Sequence, residues 1–322
     1  MAVHRDRCPL HVPSNVSVRP DATAVRAHRV HPEQTGAVNG PPSPIVQIHS
    51  PADPRVSDYL HLKGADRRRP DPFGRGGGSP PPVIIEGHLA LRRALKGPLE
   101  LNSVLMTPAR AESLGDLRAL LDPGVPVLVA DRDVLAELTG FDVHRGVLAS
   151  AVRPTVIEPN QLLGANRRVA VLEGLTDLEN VGAVFRVAAA LGIGGVLLDD
   201  RCADPLYRRC VRVSLGWSTV LPHARVRHHD DLVTTLHEAG FTAVALTPSP
   251  RAVAVDRAAD DGLLDEPVGL LVGSEGPGLE AETIAAADAA VSIPMSSGVD
   301  SLNAATSLAV VAAFAASRRG WS

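Results

Sequence analysis

Aromatic side chains make up only 3% of the 322 residues, as five Phe, two Tyr and two Trp. A core built without them rests on Ala, Val and Leu, and the 45% hydrophobic content is enough for two domains. Three cysteines, Cys8, Cys202 and Cys210, make no disulfide framework and no C-x-x-C pair. Cys202 and Cys210 with His223 match no zinc spacing, so no metal is expected. No stretch approaches the roughly 18 consecutive apolar residues of a membrane span. The first residues are charged without an apolar core, which reads against a signal peptide and leads to the expectation of a cytoplasmic protein without a membrane partner. A net charge of −4 gives no global basic signal, so any nucleic-acid surface must be local.

Residues 1–45 mix Pro, His, Arg, Val and Ser without a period of two or 3.6, and read as a poorly ordered tail. Pro51 to Tyr59 reads as a capped short helix, Arg67-Arg68-Arg69 as a local cationic turn, and the Gly/Pro-rich run at 74–82 as an extended connection. From Val83 the pattern alternates. Strands are expected at Val83–Ile85, Ser103–Met106, Val125–Ala130 and His144–Ser150, with helices at Leu89–Leu95, Ala111–Leu121 and from Asp131 to Leu138. This predicts a small α/β domain over 46–152. Residues 153–166, with Pro154, Pro159 and Gly164, read as a linker.

A second alternating domain is expected over 167–322. Its strands are Arg168–Leu172, Gly195–Leu198, Ser218–Leu221, Thr242–Leu246, Val268–Val272 and Ala290–Ile293. Its helices are Val181–Leu191, one opening at Pro205 with Asp204 as cap, Asp230–Ala239, Glu280–Ala287 and Leu302–Ala316. Near-continuous apolar strands between helices predict a parallel sheet covered on both faces.

Chemistry-bearing residues collect in three loops that follow strands. The first runs from Glu173 through Asn180 and Gly182 to Arg186, the second is Gly273-Ser274-Glu275-Gly276-Pro277-Gly278, and the third is Ile293 to Asn303. In the third, Pro294 ends a strand, while Ser301 and Asn303 stand where a helix begins, as caps or as ligand contacts. Gly192-Ile193-Gly194-Gly195 precedes a strand rather than following one, so it is no dinucleotide fingerprint, and no P-loop is present. None of the three loops holds His or Cys, which disfavours a metal site or a thiol nucleophile. Backbone amides, Asn180, Arg186, Glu275, Ser301 and Asn303 can position a polar ligand and an acceptor, but they offer no strong base.

In order, Asn180-x-Gly182-x-x-x-Arg186, Gly273-Ser-Glu-Gly-x-Gly278-Leu279 and Ile293-Pro-Met-x-x-Gly-x-x-Ser301-Leu-Asn303 resemble the three motifs of the SpoU/TrmH family of RNA 2′-O-ribose methyltransferases, over Arg168 to Ala316. Ile85-Glu86-Gly87, Leu138-Thr139-Gly140 and His144 to Ala149 resemble that family's substrate-binding domain. Leu178 stands where the family frequently has Pro, and the run at 74–82 is unusual before Val83. The resemblance implies an α/β fold whose C-terminal parallel-sheet domain carries a deep trefoil knot, preceded by a small RNA-binding α/β domain. It implies S-adenosylmethionine as cofactor, held at Thr247, Gly273, Ile293, Met295 and Leu302, in a homodimer. It further implies Arg186 as the catalytic residue, with Asn180, Glu275, Ser301 and Asn303 orienting it, the ribose and the cofactor. Arg208, Arg209 and Arg212, with 208 and 212 on one helix face, would contact RNA phosphate across the dimer. The implied activity is ribose 2′-O-methylation, with ribosomal RNA ahead of tRNA as substrate. A catalytically silent RNA-binding or ribosome-assembly factor is the alternative.

Overall fold

The computed structural model describes residues 43–63, 80–143, 146–226 and 231–317. Cys8, Arg67–Arg69, His144, most of the tail expected over 1–45 and most of the Gly/Pro-rich run lie outside the described residues.

The first layered unit uses β1 (Ile45–Ile48), β2 (Val83–Glu86), α1 (His88–Ala94), β3 (Leu101–Met106), α2 (Pro108–Ser113), α3 (Gly115–Arg118), β4 (Val127–Ala130), α4 (Arg132–Thr139) and β5 (Val147–Ala151). The five-stranded sheet has the order β1-β4-β3-β5-β2. Strands β1, β4 and β3 run parallel, and β5 is antiparallel to both β3 and β2. Strand β1 was not expected. It pairs Ile45 with Val127, so order begins at the end of the segment read as a tail. The single helix expected over Ala111–Leu121 is two short ones, because Leu114 takes φ −116 and ψ 32, outside the helical region. The capped helix near Tyr59 is a 3-10 helix, Pro54–Tyr59, with Asp53 accepting from the Arg55 N–H.

The expected linker is also structured. Helix α5 (Pro159–Ala165) starts with Pro at its first position and a capping box between Glu158 and Gln161. There follow β6 (Arg168–Leu172), α6 (Leu178–Ala190), β7 (Gly195–Leu198), α7 (Arg208–Val213), β8 (His223–Arg225), α8 (Leu232–Glu238), β9 (Thr242–Leu246), β10 (Val253–Ala254), α9 (Val255–Asp260), β11 (Val268–Val272), α10 (Ala281–Ala286), β12 (Ala289–Ser292) and α11 (Ala304–Ser317). The strand expected at Ser218–Leu221 is instead a 3-10 turn, Trp217–Thr219, and the chain joins the sheet only at His223. The helix expected from Pro205 opens at Arg208.

Seven strands form the second sheet in the order β10-β12-β9-β11-β6-β7-β8, and every pairing is parallel. Strands β6, β7 and β11 are apolar along both faces apart from Arg168 at the start of β6, and the sheet is covered on each side. Phe185, Val196, Leu270 and Leu308 anchor one face; Leu162, Leu236, Phe241 and Leu271 anchor the other. Because the strands are parallel, β9, β11 and β12 end on the same side, and their outgoing loops meet there.

Phe185 also meets His223 edge-on, with ring centroids 5.5 Å apart. Burial pushes the His223 pKa down to about 4, against a favourable pull from Asp204 and with Arg225 and Arg153 opposing protonation. The ring is therefore neutral in the fold, whereas the unfolded chain takes up a proton below roughly pH 6.5. Between those values the unfolded state holds more protons, so stability falls as pH falls. Urea unfolding is expected to show a loss of about 2 kcal/mol between roughly pH 7 and pH 4.5 from this group, absent in His223→Leu. An equal loss in that variant would remove His223 as the cause.

Candidate active site

Each of the three loops sends one polar side chain to a common point. Asp177 caps α6, its carboxylate accepting from the Glu179 and Asn180 N–H groups at 2.8 and 2.9 Å. This places the Asn180 side chain, which is 8% exposed, at the first turn of α6. Its Nδ2 donates to Glu275 Oε1 at 2.7 Å, and its Oδ1 accepts from Asn303 Nδ2 at 2.6 Å. Asn303 Nδ2 also reaches Glu275 Oε1 at 3.1 Å. The other end of the same side chain caps α11, where Asn303 Oδ1 accepts from the Ala305 N–H at 2.9 Å. Asn303 is thus a cap and a bridge at once, and α11 begins at Ala304 rather than at Leu302.

Ser301 does not join this group. It is exposed, two residues outside the cap, and makes no hydrogen bond to Asn180, Glu275 or Asn303. Both Ser and Asn suit a cap, and Asn303 occupies it. Arg186 lies six positions beyond Asn180 on α6, exposed and unpaired with any acid among the described residues.

The loop carrying Glu275 is folded tightly over the end of β11. The Gly278 N–H donates to Ser274 O at 3.1 Å, and Gly276 and Gly278 take φ 90 and 76. A Cβ on Gly273 would stand 2.1 Å from Gly278 C and 2.2 Å from Leu279 N, so main chain crosses directly against main chain. Thr247 follows β9, its N–H donating to Val291 O at 3.0 Å. Ile293 and Met295 leave β12 half-buried. Leu302 is 37% exposed and Val299 50%. These apolar side chains beside strand-end backbone and a polar triad fit a ligand that has both an apolar ring and polar groups.

A second charged cluster sits on the seam between the two sheets. Glu86, at the end of β2, accepts from Arg208 of α7, and Arg212 approaches the same oxygen at 3.6 Å. The Arg208 and Glu86 side chains are only 13% and 7% exposed, and the guanidinium lies 4.4 Å above the Phe141 ring. Arg209 pairs with Glu179 on the surface. The open basic face expected from Arg208, Arg209 and Arg212 is therefore engaged in ion pairs. Leu206 and Val211 flank it and pack into the core against the five-stranded sheet, so α7 joins the two sheets. Glu86→Ala would leave the buried Arg208 guanidinium without its carboxylate. Urea unfolding is expected to show a loss of about 3 kcal/mol, with most of it regained in a Glu86→Leu, Arg208→Met double variant. A loss below about 0.5 kcal/mol would mean the pair is no clamp.

The chain matches the family model described as SpoU rRNA Methylase family over residues 167–313, and the model described as RNA 2'-O ribose methyltransferase substrate binding over 84–156. It is 41% identical over 268 residues to an uncharacterized tRNA/rRNA methyltransferase of Mycobacterium bovis, a match covering 83% of this chain and 90% of that protein. Its fold is similar to that of an AdoMet-bound rRNA methyltransferase from Sinorhizobium meliloti, with a TM-score of 0.67, 23% identity, and coverage of 86% of this chain and 99% of that one. A solved structure described as an RNA 2'-O ribose methyltransferase is similar with a TM-score of 0.63 and 27% identity, covering 84% of this chain and 98% of that one.

Proposed function

The chain belongs to the SpoU rRNA methylase family and is an RNA methyltransferase; from that premise we propose that it methylates a ribose 2′-hydroxyl, with S-adenosylmethionine as the donor and ribosomal RNA ahead of tRNA as substrate. The observation that carries this reading is the bridge of Asn180, Glu275 and Asn303, which ties the three motif loops together at one end of the strands. The substrate-binding match over 84–156 supports a polynucleotide substrate rather than a small molecule.

When bound, S-adenosylmethionine supplies an electrophilic methyl group. Thr247, Gly273, Ile293, Met295 and Leu302 would hold it, apolar side chains against the adenine and strand-end backbone against its polar edges. Arg186 would stabilise negative charge developing on the ribose 2′-oxygen, since a guanidinium stays protonated and is a poor base. Asn180, Glu275 and Asn303 would fix the approach of ribose and methyl group. Ser301, outside the bridge, would act on the substrate or not at all.

Two structural readings accompany this one. Strands β11 and β12 each return into the interior of the sheet, and α11 packs back on α6. We infer from that path a trefoil knot in which the last helix is threaded, an exception to the rule against knots. The 38% exposed Phe314 on α11 supports a homodimer that would cover it. Arg209 and Arg212 would reach RNA only from within their ion pairs, and Arg208 serves the domain joint first.

The deciding experiment is transfer of labelled methyl to total rRNA and total tRNA, followed by ribose-methyl mapping. Label on a ribose 2′-oxygen of rRNA is the expected result. Label on a base would overturn the reaction, and label on tRNA alone would overturn the substrate.

A further inference from the structure

The first and second loops are tied together twice, once at their tips and once at their bases. At the tips, Asn180 donates to Glu275 at 2.7 Å. At the bases the tie is Glu173, the residue that follows β6. Its N–H donates to Val272 O at 3.0 Å, one step beyond the paired Leu172 and Val272, so its main chain runs beside Gly273. Its side chain, only 7% exposed, reaches across to the start of α10. One carboxylate oxygen accepts from the Glu280 N–H at 2.9 Å, and the other from the Thr283 hydroxyl at 2.6 Å. Glu280 is the N-cap of α10 and Thr283 stands in its first turn. The carboxylate therefore fixes where that helix begins, and so where the second loop ends.

The base is braced again from β7. Asp199 accepts from the Gly174 N–H and from Arg201 Nε, both at 2.9 Å, and Arg201 goes on to pair with Glu280. Glu173 makes no hydrogen bond to Asn180, Glu275 or Asn303, so it stands outside the bridge. A loop bound at its tip alone can pivot about that point. Bound at tip and base, it is held in one place.

We propose that Glu173 is a positioning residue for the cofactor: by holding Glu280 and Thr283 it sets how the Gly273–Leu279 loop lies over β11, and with it the place of Glu275. It rests on the reading that lays S-adenosylmethionine against Gly273.

Reach and charge can be separated at this position. Glu173→Gln keeps the length: its amide oxygen can accept from the Glu280 N–H while its NH2 donates to the Thr283 hydroxyl, which both gives and accepts. Glu173→Asp keeps the charge but is one methylene too short to hold both partners. With full-length protein, Glu173→Gln is expected to bind S-adenosylhomocysteine within about threefold of wild type by calorimetry, and Glu173→Asp about tenfold more weakly. Methyl transfer should follow the same order, with a raised KM for S-adenosylmethionine and a kcat about tenfold lower in Glu173→Asp. RNA affinity should be unchanged in both. A further pair separates positioning from stability. Glu173→Leu should lower both thermal midpoint and cofactor affinity. Adding Thr283→Val removes the unsatisfied hydroxyl and should raise the midpoint again, without restoring affinity, because the Glu280 N–H is still unheld.

Wild-type affinity in Glu173→Asp, or Glu173→Gln as weak as Glu173→Asp, would overturn the proposal. So would affinity that recovers with the midpoint in the Leu and Val pair. Should Glu173→Leu fail to fold, the Gln and Asp comparison decides alone. Wild-type cofactor affinity in Gly273→Ala would overturn the placement of the cofactor, and the proposal with it.

Discussion

Arg186→Ala is expected to slow methyl transfer by a factor of about 100 to 1,000, the loss typical of removing one group that stabilises developing negative charge. The expectation depends on where Arg186 sits. It is exposed, it is not ion-paired among the described residues, and it stands on a helix whose opposite side is buried against the core. Removing an unpaired surface arginine ordinarily shifts stability by no more than about 0.5 kcal/mol. The thermal midpoint and the affinity for S-adenosylhomocysteine should therefore stay near wild-type values, and the defect should appear in single-turnover rates at saturating RNA. Arg186→Lys keeps the charge without the planar fork, and is expected to recover part of the rate. Turnover within a few-fold of wild type in Arg186→Ala would show that positioning by the three loops suffices without it.

The contrast with Arg208 sharpens the point. Both residues are arginines on helices, α6 and α7, and both looked functional by their place in the chain. Arg208 is held against a carboxylate and an aromatic ring in a nearly closed joint, while Arg186 is exposed on α6. Burial and pairing point to a structural part in the first case. Exposure without a counter-charge points to an anionic partner supplied from outside in the second.

Much of the seven-stranded sheet was legible in the chain. The strands Arg168–Leu172, Gly195–Leu198, Thr242–Leu246 and Val268–Val272 fall where continuous apolar runs placed them, since a strand buried on both faces needs no alternation to be seen. The elements that escaped are those whose evidence is not local. Strand β1 is four residues beside a Pro-rich segment, and its partner Val127 is far away in sequence. Strand β10 has only two residues, too few to show a period. Helix α5 was hidden because Pro159 and Gly164 look like loop residues, although Pro at a first helical position with Gln161 at the third is a start signal. At the site, the residue types and their loops were visible, but the bridge was not. Glu275 and Asn303 lie 95 and 123 positions beyond Asn180, and only the parallel sheet brings their loops together. The turn at Leu215 left no sequence signal, because nothing in a leucine announces its φ of 53.

Gly273→Ala should damage the protein at a second point, and through geometry rather than charge. The added methyl would lie 2.1 to 2.3 Å from three main-chain atoms of Gly278 and Leu279, and no side chain can rotate away to relieve it. The loop must lift, and the loop is already pinned at both ends. The Gly278 N–H bonds Ser274 O, and beyond Leu279 the Glu280 N–H and the Thr283 hydroxyl both donate to the Glu173 carboxylate, at 2.9 and 2.6 Å. Inserting a methyl group into such packing costs about 1–3 kcal/mol. Glu275 rides on the same loop, so a displacement near 1 Å would separate it from Asn180 and Asn303, and misplacement on that scale can cost about a hundredfold in rate. We expect weaker S-adenosylhomocysteine binding by calorimetry, a lower thermal midpoint and about a hundredfold slower methyl transfer, all from one methyl group. Glu275→Gln separates the two causes. It keeps an oxygen that can accept from both asparagines, leaves Gly273 untouched, and should retain cofactor affinity and stability while losing only what the carboxylate charge contributes. Wild-type affinity and turnover in Gly273→Ala would show that the loop moves freely, and would detach the close crossing at Gly273 from the function of the site.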